Sequence, residues 1–444
     1  MLSFGCLCVL LGLGYGLRRK IPLLGRLYLP ASVVAGLIGL PLLHLLPLPE
    51  AATAGWSRLP GALINVVFAC LFLGTALPAV SKVWKSCSRQ LAYGQIVAWG
   101  QYAVGGALFL LLIGPFFGLP DLFAGIMPVG FEGGHGTAAG MKPVFEELGQ
   151  PEMTDYALTA ATGGILGAIV VGMAMVNRAV RKGYVVRRTD PACEIEDLSG
   201  IIPFERRPDI GKLTVSSDVI GSLSLHLVFI GGAILLGWMA KAALLKLGHV
   251  LPGNASRLLE SFPLFPLCML GGVVVQWFSD RFDSHEHMDP SIVLRIQNCA
   301  LDFLVVAAIA TIRVDVVAKG CLPISLVVFA GILWNVFCLN VLAPRAFKDA
   351  WFERGIAEMG QSMGVTATGL LLLRTVDPNY ETEAAEAFAA KQLLHEPFMG
   401  GGLWTGMAIP LIATWGVRPI LLVSLSFIAL WSVALLWMNR PRAV

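Results

Sequence analysis

The sequence predicts an all-α polytopic membrane protein, and three observations carry that expectation. Charge is scarce, apolar runs of bilayer length recur, and one long polar stretch near the midpoint divides those runs into two similar sets. Of 444 residues, 56% are hydrophobic and 14% charged, and the mean hydropathy is +0.74. Soluble domains carry roughly 25% charged residues. A helix needs about 20 apolar residues to cross about 30 Å of hydrocarbon, so the expected surroundings are a lipid bilayer. A net charge of +3 is too small for the electrostatic footprint of a nucleic-acid binder.

Eleven crossings are expected, at 2–17, 27–47, 60–80, 93–118, 157–178, 217–246, 262–279, 291–318, 320–343, 396–415 and 417–438. The first run is short, but its positive charge follows it (Arg18, Arg19, Lys20) and no small-residue cleavage site appears, which reads as a helix rather than a signal peptide. Two stretches, about 120–150 and 350–378, are glycine-rich and too interrupted to be ordinary crossings; they read as re-entrant loops. The cysteines sit mostly within apolar runs, without C-x-x-C spacing, and read as small hydrophobes. Cytoplasmic loops collect Lys and Arg. With the N-terminus outside, 21 of the basic residues fall on inside segments and seven outside, which places the C-terminus in the cytoplasm.

The polar stretch 181–212 contains mixed charge and reads as a solvated cytoplasmic linker. Five crossings precede it, and an odd number turns a second, similar set upside down in the membrane. The expected organisation is an N-terminal repeat over 1–180, a linker over 181–215, an inverted C-terminal repeat over 216–415 and an extra helix over 416–444. Gly360, Gly364 and Gly369 follow Gly133, Gly136 and Gly140 by 227, 228 and 229 positions, close to half the chain. The first glycine loop then enters from outside and the second from inside, so their tips are expected near the midplane.

Lipid offers no hydrogen bonds, so non-helical backbone at depth survives only inside protein or along a wet cavity. Glycine lets N–H groups approach a bound group closely, and Thr137, Thr366 and Thr368 add hydroxyls. Half-helix ends favour anions at N-termini and alkali cations at carbonyl ends. An anion with a cation is the natural cargo; the bland alternative is that the glycines only permit tight helix packing.

The segments "GGHGTAAG" (133–140), "LPASVVAGL" (29–37), "PFERRPDIGK" (203–212) and "MGVTATG" (363–369) together resemble the bacterial glutamate:sodium symporter family, in order over residues 1 to about 415. The resemblance implies two inverted five-helix repeats, opposed re-entrant loops, a homodimer in the bacterial inner membrane, and sodium-driven uptake of an acidic amino acid by an elevator-like movement. For His135 it favours a substrate-binding or loop-forming role; Gly134, Gly136, Thr137, Gly364, Thr366 and Thr368 are the expected substrate contacts on the backbone and hydroxyl argument above. The sequence departs from the family pattern at Glu132, where a small hydroxyl residue is usual, near Ala367, where a proline is usual, and in the added last span.

Several charged positions stand out. Arg374 ends the apolar run after the second loop, where an unpaired guanidinium costs roughly 3 kcal/mol or more. It either grips a substrate carboxylate through its planar fork, snorkels to the edge, or pairs with Asp377. Glu132 either neutralises sodium, carries a coupled proton, or faces water at the loop's mouth. His135 lacks partners at metal-ligand spacing and reads as a loop brace or substrate donor. Asp302, mid-span, with Asn298 and Gln297, offers hard oxygens for sodium, or pairs with Arg295 or Arg313. Sodium is the only metal expected, and no cofactor.

The leading expectation is a sodium-coupled carrier of glutamate or a similar small anion. Alternatives in the same class are another dicarboxylate or 2-hydroxycarboxylate, or proton coupling through Glu132. No phosphate-cradling glycine loop is present to use ATP. An anion channel would surround its axis with like loops, whereas two unlike loops facing opposite ways suit alternating access. An intramembrane enzyme would need a nucleophile, and none is placed for it.

Overall fold

Apolar periodicity becomes helix throughout: among the described residues of this computed structural model, every regular element is helical. The structure describes residues 2–26, 29–45, 49–74, 80–186, 204, 207, 211–250, 259, 262–377 and 381–440. Most of the expected linker at 181–215 lies outside them, as does most of the segment 203–212. Seven described helices are long and apolar enough to cross a membrane: Leu2–Lys20, Cys87–Phe117, Met153–Lys182, Ser222–Val250, Pro290–Ala310, Cys321–Ala346 and Val417–Met438.

The other four expected crossings take different forms. Those at 27–47, 60–80 and 396–415 contain shorter apolar helices, Ala31–Leu45, Leu59–Ala69 and Leu403–Trp415. The run at 262–279 is the 19-residue helix Leu264–Phe282. Helix Leu59–Ala69 gives way to turns ending at Gly74, whose φ of +73° suits glycine and whose N–H donates to Gln276 Oε1 at 2.7 Å. The start of the 396–415 run is unwound by Pro397 and three consecutive glycines, so the helix begins only at Leu403. The run 291–318 breaks after Ala310 because Arg313 is anchored elsewhere: its N–H and Nε donate to Asp155 at 2.9 Å each, and its Nη2 lies 2.8 Å from Asp155 Oδ2.

The chain divides into two compact units, and each draws on both halves of the sequence. The first comprises Met1–Leu77, Ala139–Glu147 and Asp197–Ile312. Its helices approach through small residues. The adjacent Gly271 and Gly272 of Leu264–Phe282 lie against the carbonyls of Ala233 and Ala69, on two different neighbours, where any Cβ would collide. Close approach through glycine is the usual solution where lipid gives helices no hydrophobic reason to associate.

The second unit comprises Pro78–Ala138, Leu148–Glu196 and Arg313–Val444. Two of its long helices carry a π-helical turn, Phe109–Ile113 and Cys338–Leu342, each followed at the same distance by a proline, Pro115 and Pro344. Proline lacks an N–H and its ring collides with the carbonyl four residues back, so widening that turn relieves both problems. The prolines are 229 positions apart, the spacing of Gly140 and Gly369. The glycine-rich stretches form helical hairpins. In the first, Asp121–Gly125 and Ile126–Gly130 lead through a turn to Gly134–Gly140; in the second, Trp351–Met363 and Thr366–Val376 flank Gly364 and Val365.

Candidate functional site

The tips of both hairpins and the polar residues beside them belong to the second unit. Gly134, at φ +65°, starts the outgoing arm of the first hairpin. A Cβ there would stand 3.1 Å from the Gly364 carbonyl oxygen and 3.3 Å from Val365 Cγ1, so the two tips meet and glycine is what lets them.

Beside the tips lies a buried polar network. Glu132, 4% exposed, accepts at Oε1 from Gln361 Nε2 at 2.8 Å and lies 2.6 Å from His395 Nε2. Its Oε2 is buried without a hydrogen-bond partner. Lys391, fully buried, donates to Glu358 Oε1 at 2.6 Å, Gln392 Oε1 at 2.8 Å and Gln361 Oε1 at 3.1 Å. Gln392 passes its own N–H on to Thr366 Oγ1 at 2.6 Å, and Gln90 Nε2 donates to Glu358 Oε2 at 3.0 Å. Gln361 and Gln392 thus each turn an oxygen to the ammonium and a nitrogen to a hairpin.

The protonation of His395 follows from its neighbours. Indole N–H groups only donate, so Trp99 Nε1, 3.0 Å from Gln95 Oε1, fixes the Gln95 oxygen toward itself. Gln95 Nε2 then faces His395 Nδ1 at 3.3 Å and donates to it, leaving the ring proton on Nε2, directed at Glu132. His395 is a neutral donor, and Glu132 accepts at one oxygen and leaves the other unused.

The expected residues are distributed as follows. His135 is buried and its Nε2 lies 3.0 Å from Thr162 Oγ1. The Thr162 hydroxyl is itself 3.0 Å from the Leu158 carbonyl and donates there, so His135 donates to Thr162 and braces the first hairpin. Thr137 is buried under Gly133, while Gly136 is half-buried. Gly364 and Thr368 are buried at the second tip, and the half-buried Thr366 accepts from Gln392. Arg374 is not brought to the tips: it is exposed in the last turn of Thr366–Val376, about 12 Å of helix rise beyond Thr366. Asp377 accepts instead from the backbone of Glu381 and Thr382. Asp302 and Asn298 lie on exposed positions of Pro290–Ala310 in the first unit, with Ser32 hydrogen-bonded to Asp302. Arg313 is paired with Asp155.

Sequence reasoning missed Lys391, Gln392 and His395. They sit on helix Ala384–His395, whose buried face is otherwise Ala384, Ala387 and Phe388. The sequence carries only their spacing, a lysine and a histidine four residues apart in an amphipathic stretch, which does not say which face is buried.

Helices of membrane length, with two glycine hairpins meeting beside a buried carboxylate, are those of a multi-pass membrane protein, and the match to a transporter family makes it a transporter rather than an enzyme. The chain belongs to the sodium/glutamate symporter family, whose profile matches residues 1–382. No match to a curated protein was found. The matched residues include both hairpins, Glu132, Glu358 and Gln361; Lys391, Gln392 and His395 lie beyond them.

Proposed function

We propose that this protein is a secondary active transporter that couples the uptake of glutamate, or a similar small organic anion, to sodium by alternating access. The observation that carries this reading is the meeting of Gly134 with Gly364 and Val365 beside a Glu132 oxygen that no protein group uses. Backbone N–H groups at the start of Thr366–Val376, with the hydroxyls of Thr366, Thr368 and Thr137, form the anion's side of the site. His135 holds the first hairpin in place. Glu132 receives the coupling ion, and Asp302 with Asn298 is a second candidate ion site. An elevator-like movement is carried by the unit that holds both hairpin tips.

The remaining features belong to the same reading: two inverted five-helix repeats with re-entrant loops, eleven crossings, a homodimer, and a place in the bacterial inner membrane with the N-terminus outside. Glycines 227 to 229 positions apart and prolines 229 apart after matching π-turns support the duplication.

Counterflow in liposomes tests the function. Vesicles loaded with unlabelled glutamate are expected to accumulate labelled glutamate saturably, and faster with sodium outside and inside than with choline. Absence of exchange with every acidic amino acid and dicarboxylate in a panel, or flux that does not saturate, overturns the reading. The buried, unpartnered Oε2 of Glu132 supports one variant of it, in which that oxygen carries a proton. Exchange indifferent to sodium but steeply dependent on pH identifies that variant.

A further inference from the structure

The surroundings of Lys391 resemble an ion site more than a surface pair folded inward. An ammonium has three donors and no acceptor. All three find oxygen, from one carboxylate and two amides, at 2.6, 2.8 and 3.1 Å, and the group is fully buried. Such a set of carboxylate and carbonyl oxygens is the kind that hard cations take. Space for the lysine is built into a separate helix: a Cβ on Gly94 would lie 2.5 Å from both Lys391 Cε and Glu358 Oε1.

The charges point the same way. Within the hydrogen-bonded network, Glu358 and Glu132 are two carboxylates, His395 is neutral by its partners, and Lys391 is the one cation. The oxygens that surround the ammonium come from Glu358 and Gln361, inside the matched 1–382, and from Gln392 beyond it; the ammonium itself comes from beyond it. The cage is therefore largely made by residues inside the matched stretch, and the charge that fills it comes from a helix beyond that stretch.

We propose that the Lys391 ammonium is a tethered counter-ion occupying a monovalent-cation site, and that this site binds a free monovalent cation once the lysine stem is removed. The tethered charge does what a bound ion does elsewhere. It neutralises Glu358, and it sets the orientation of Gln361 and Gln392, whose nitrogens hold Glu132 of the first hairpin and Thr366 of the second. In the transport cycle, which rests on the reading above, the protein supplies this charge itself and draws one cation fewer from solution than Lys391→Ala would.

The test uses binding, so its outcome is separate from the identity of the cargo. Full-length protein in detergent is melted in choline chloride and then titrated with ammonium, methylammonium, sodium and potassium chlorides. Lys391→Ala is expected to melt lower than wild type in choline and to recover with a saturable rise on the order of 5 °C with at least one of these cations. Ammonium and methylammonium are expected to leave wild type unmoved. Lys391→Ala combined with Glu358→Gln, which removes the cage's charge, is expected to lose the saturable response. A Lys391→Ala protein that responds to no cation beyond wild type overturns the proposal. So does one that fails to fold in every salt, because a site for a monovalent cation accepts a free one in place of the ammonium. Should counterflow fail while this rescue succeeds, the cation site stands and the cargo assignment falls.

Discussion

Gly134 shows how much of the site depends on a single missing side chain. Its φ of +65° costs an L-residue roughly 1–2 kcal/mol, and a Cβ there would press on the Gly364 carbonyl at the other tip. Gly149 provides the comparison: its φ is +71°, but open space surrounds it. Gly134→Ala is expected to reduce counterflow tenfold or more, and Gly149→Ala to leave it within about twofold. Equal losses in the two variants would mean that backbone strain alone matters and that tip contact does not. Residues of this kind were legible in the sequence because five glycines, an acid and an imidazole break an apolar chain where uninterrupted helix would otherwise run. Lys391 and His395 were not, since a lysine and a histidine in an amphipathic stretch ordinarily face water and only packing reveals that theirs is the buried face. Arg374 attracted notice for the converse reason: hydropathy put it at depth, and the helix carried it to an exposed last turn.

At the scale of elements, helix type was legible and helix ends were not, because ends are decided by caps and anchors that hydropathy does not weigh. Helix Pro290–Ala310 illustrates both ends. It stops where Asp155 captures Arg313, and it starts where Asp289 caps it, accepting from Ser291 N–H at 2.9 Å and Ile292 N–H at 3.1 Å. Asp289 Oδ2 also accepts the Lys212 N–H at 3.1 Å, and its own N–H donates to His226 Nε2 at 2.8 Å. Partial burial works against the Asp289 charge, but the N–H groups of Lys212, Ile292 and Ser291 outweigh it and hold its carboxyl below the ordinary carboxylate range. A carboxylate whose folded pKa is lowered stabilises above its unfolded pKa and loses that contribution as pH falls through the folded value. Asp289→Ala is therefore expected to cost about 1 kcal/mol at neutral pH, with the difference from wild type vanishing toward strongly acidic pH. Thermal melts of both proteins across pH check it; a difference that persists in acid would assign the loss to packing instead.

At the scale of the whole chain, the C-terminal helix Val417–Met438 reaches Glu132 along a physical path. Phe427 of Val417–Met438 stacks on Trp99 with ring centroids 4.3 Å apart and planes within 5°. Trp99 fixes Gln95, Gln95 fixes the tautomer of His395, and His395 directs its proton at Glu132. The sequence shows the last helix as an apolar run, but the path was invisible in it, because its members stand at 95, 99, 132, 395 and 427 and meet only by packing. Hydrogen-bonded networks of this kind are worth more than their pairs, and a double-mutant cycle isolates the shared part. Phe427→Ala is expected to weaken glutamate binding about tenfold, measured by calorimetry in detergent with sodium present. In a Glu132→Gln background the same substitution is expected to cost less than twofold, because a neutral amide oxygen gains less than a carboxylate from the N–H held toward it. An equal factor in both backgrounds would confine Phe427 to packing and sever the C-terminal helix from Glu132.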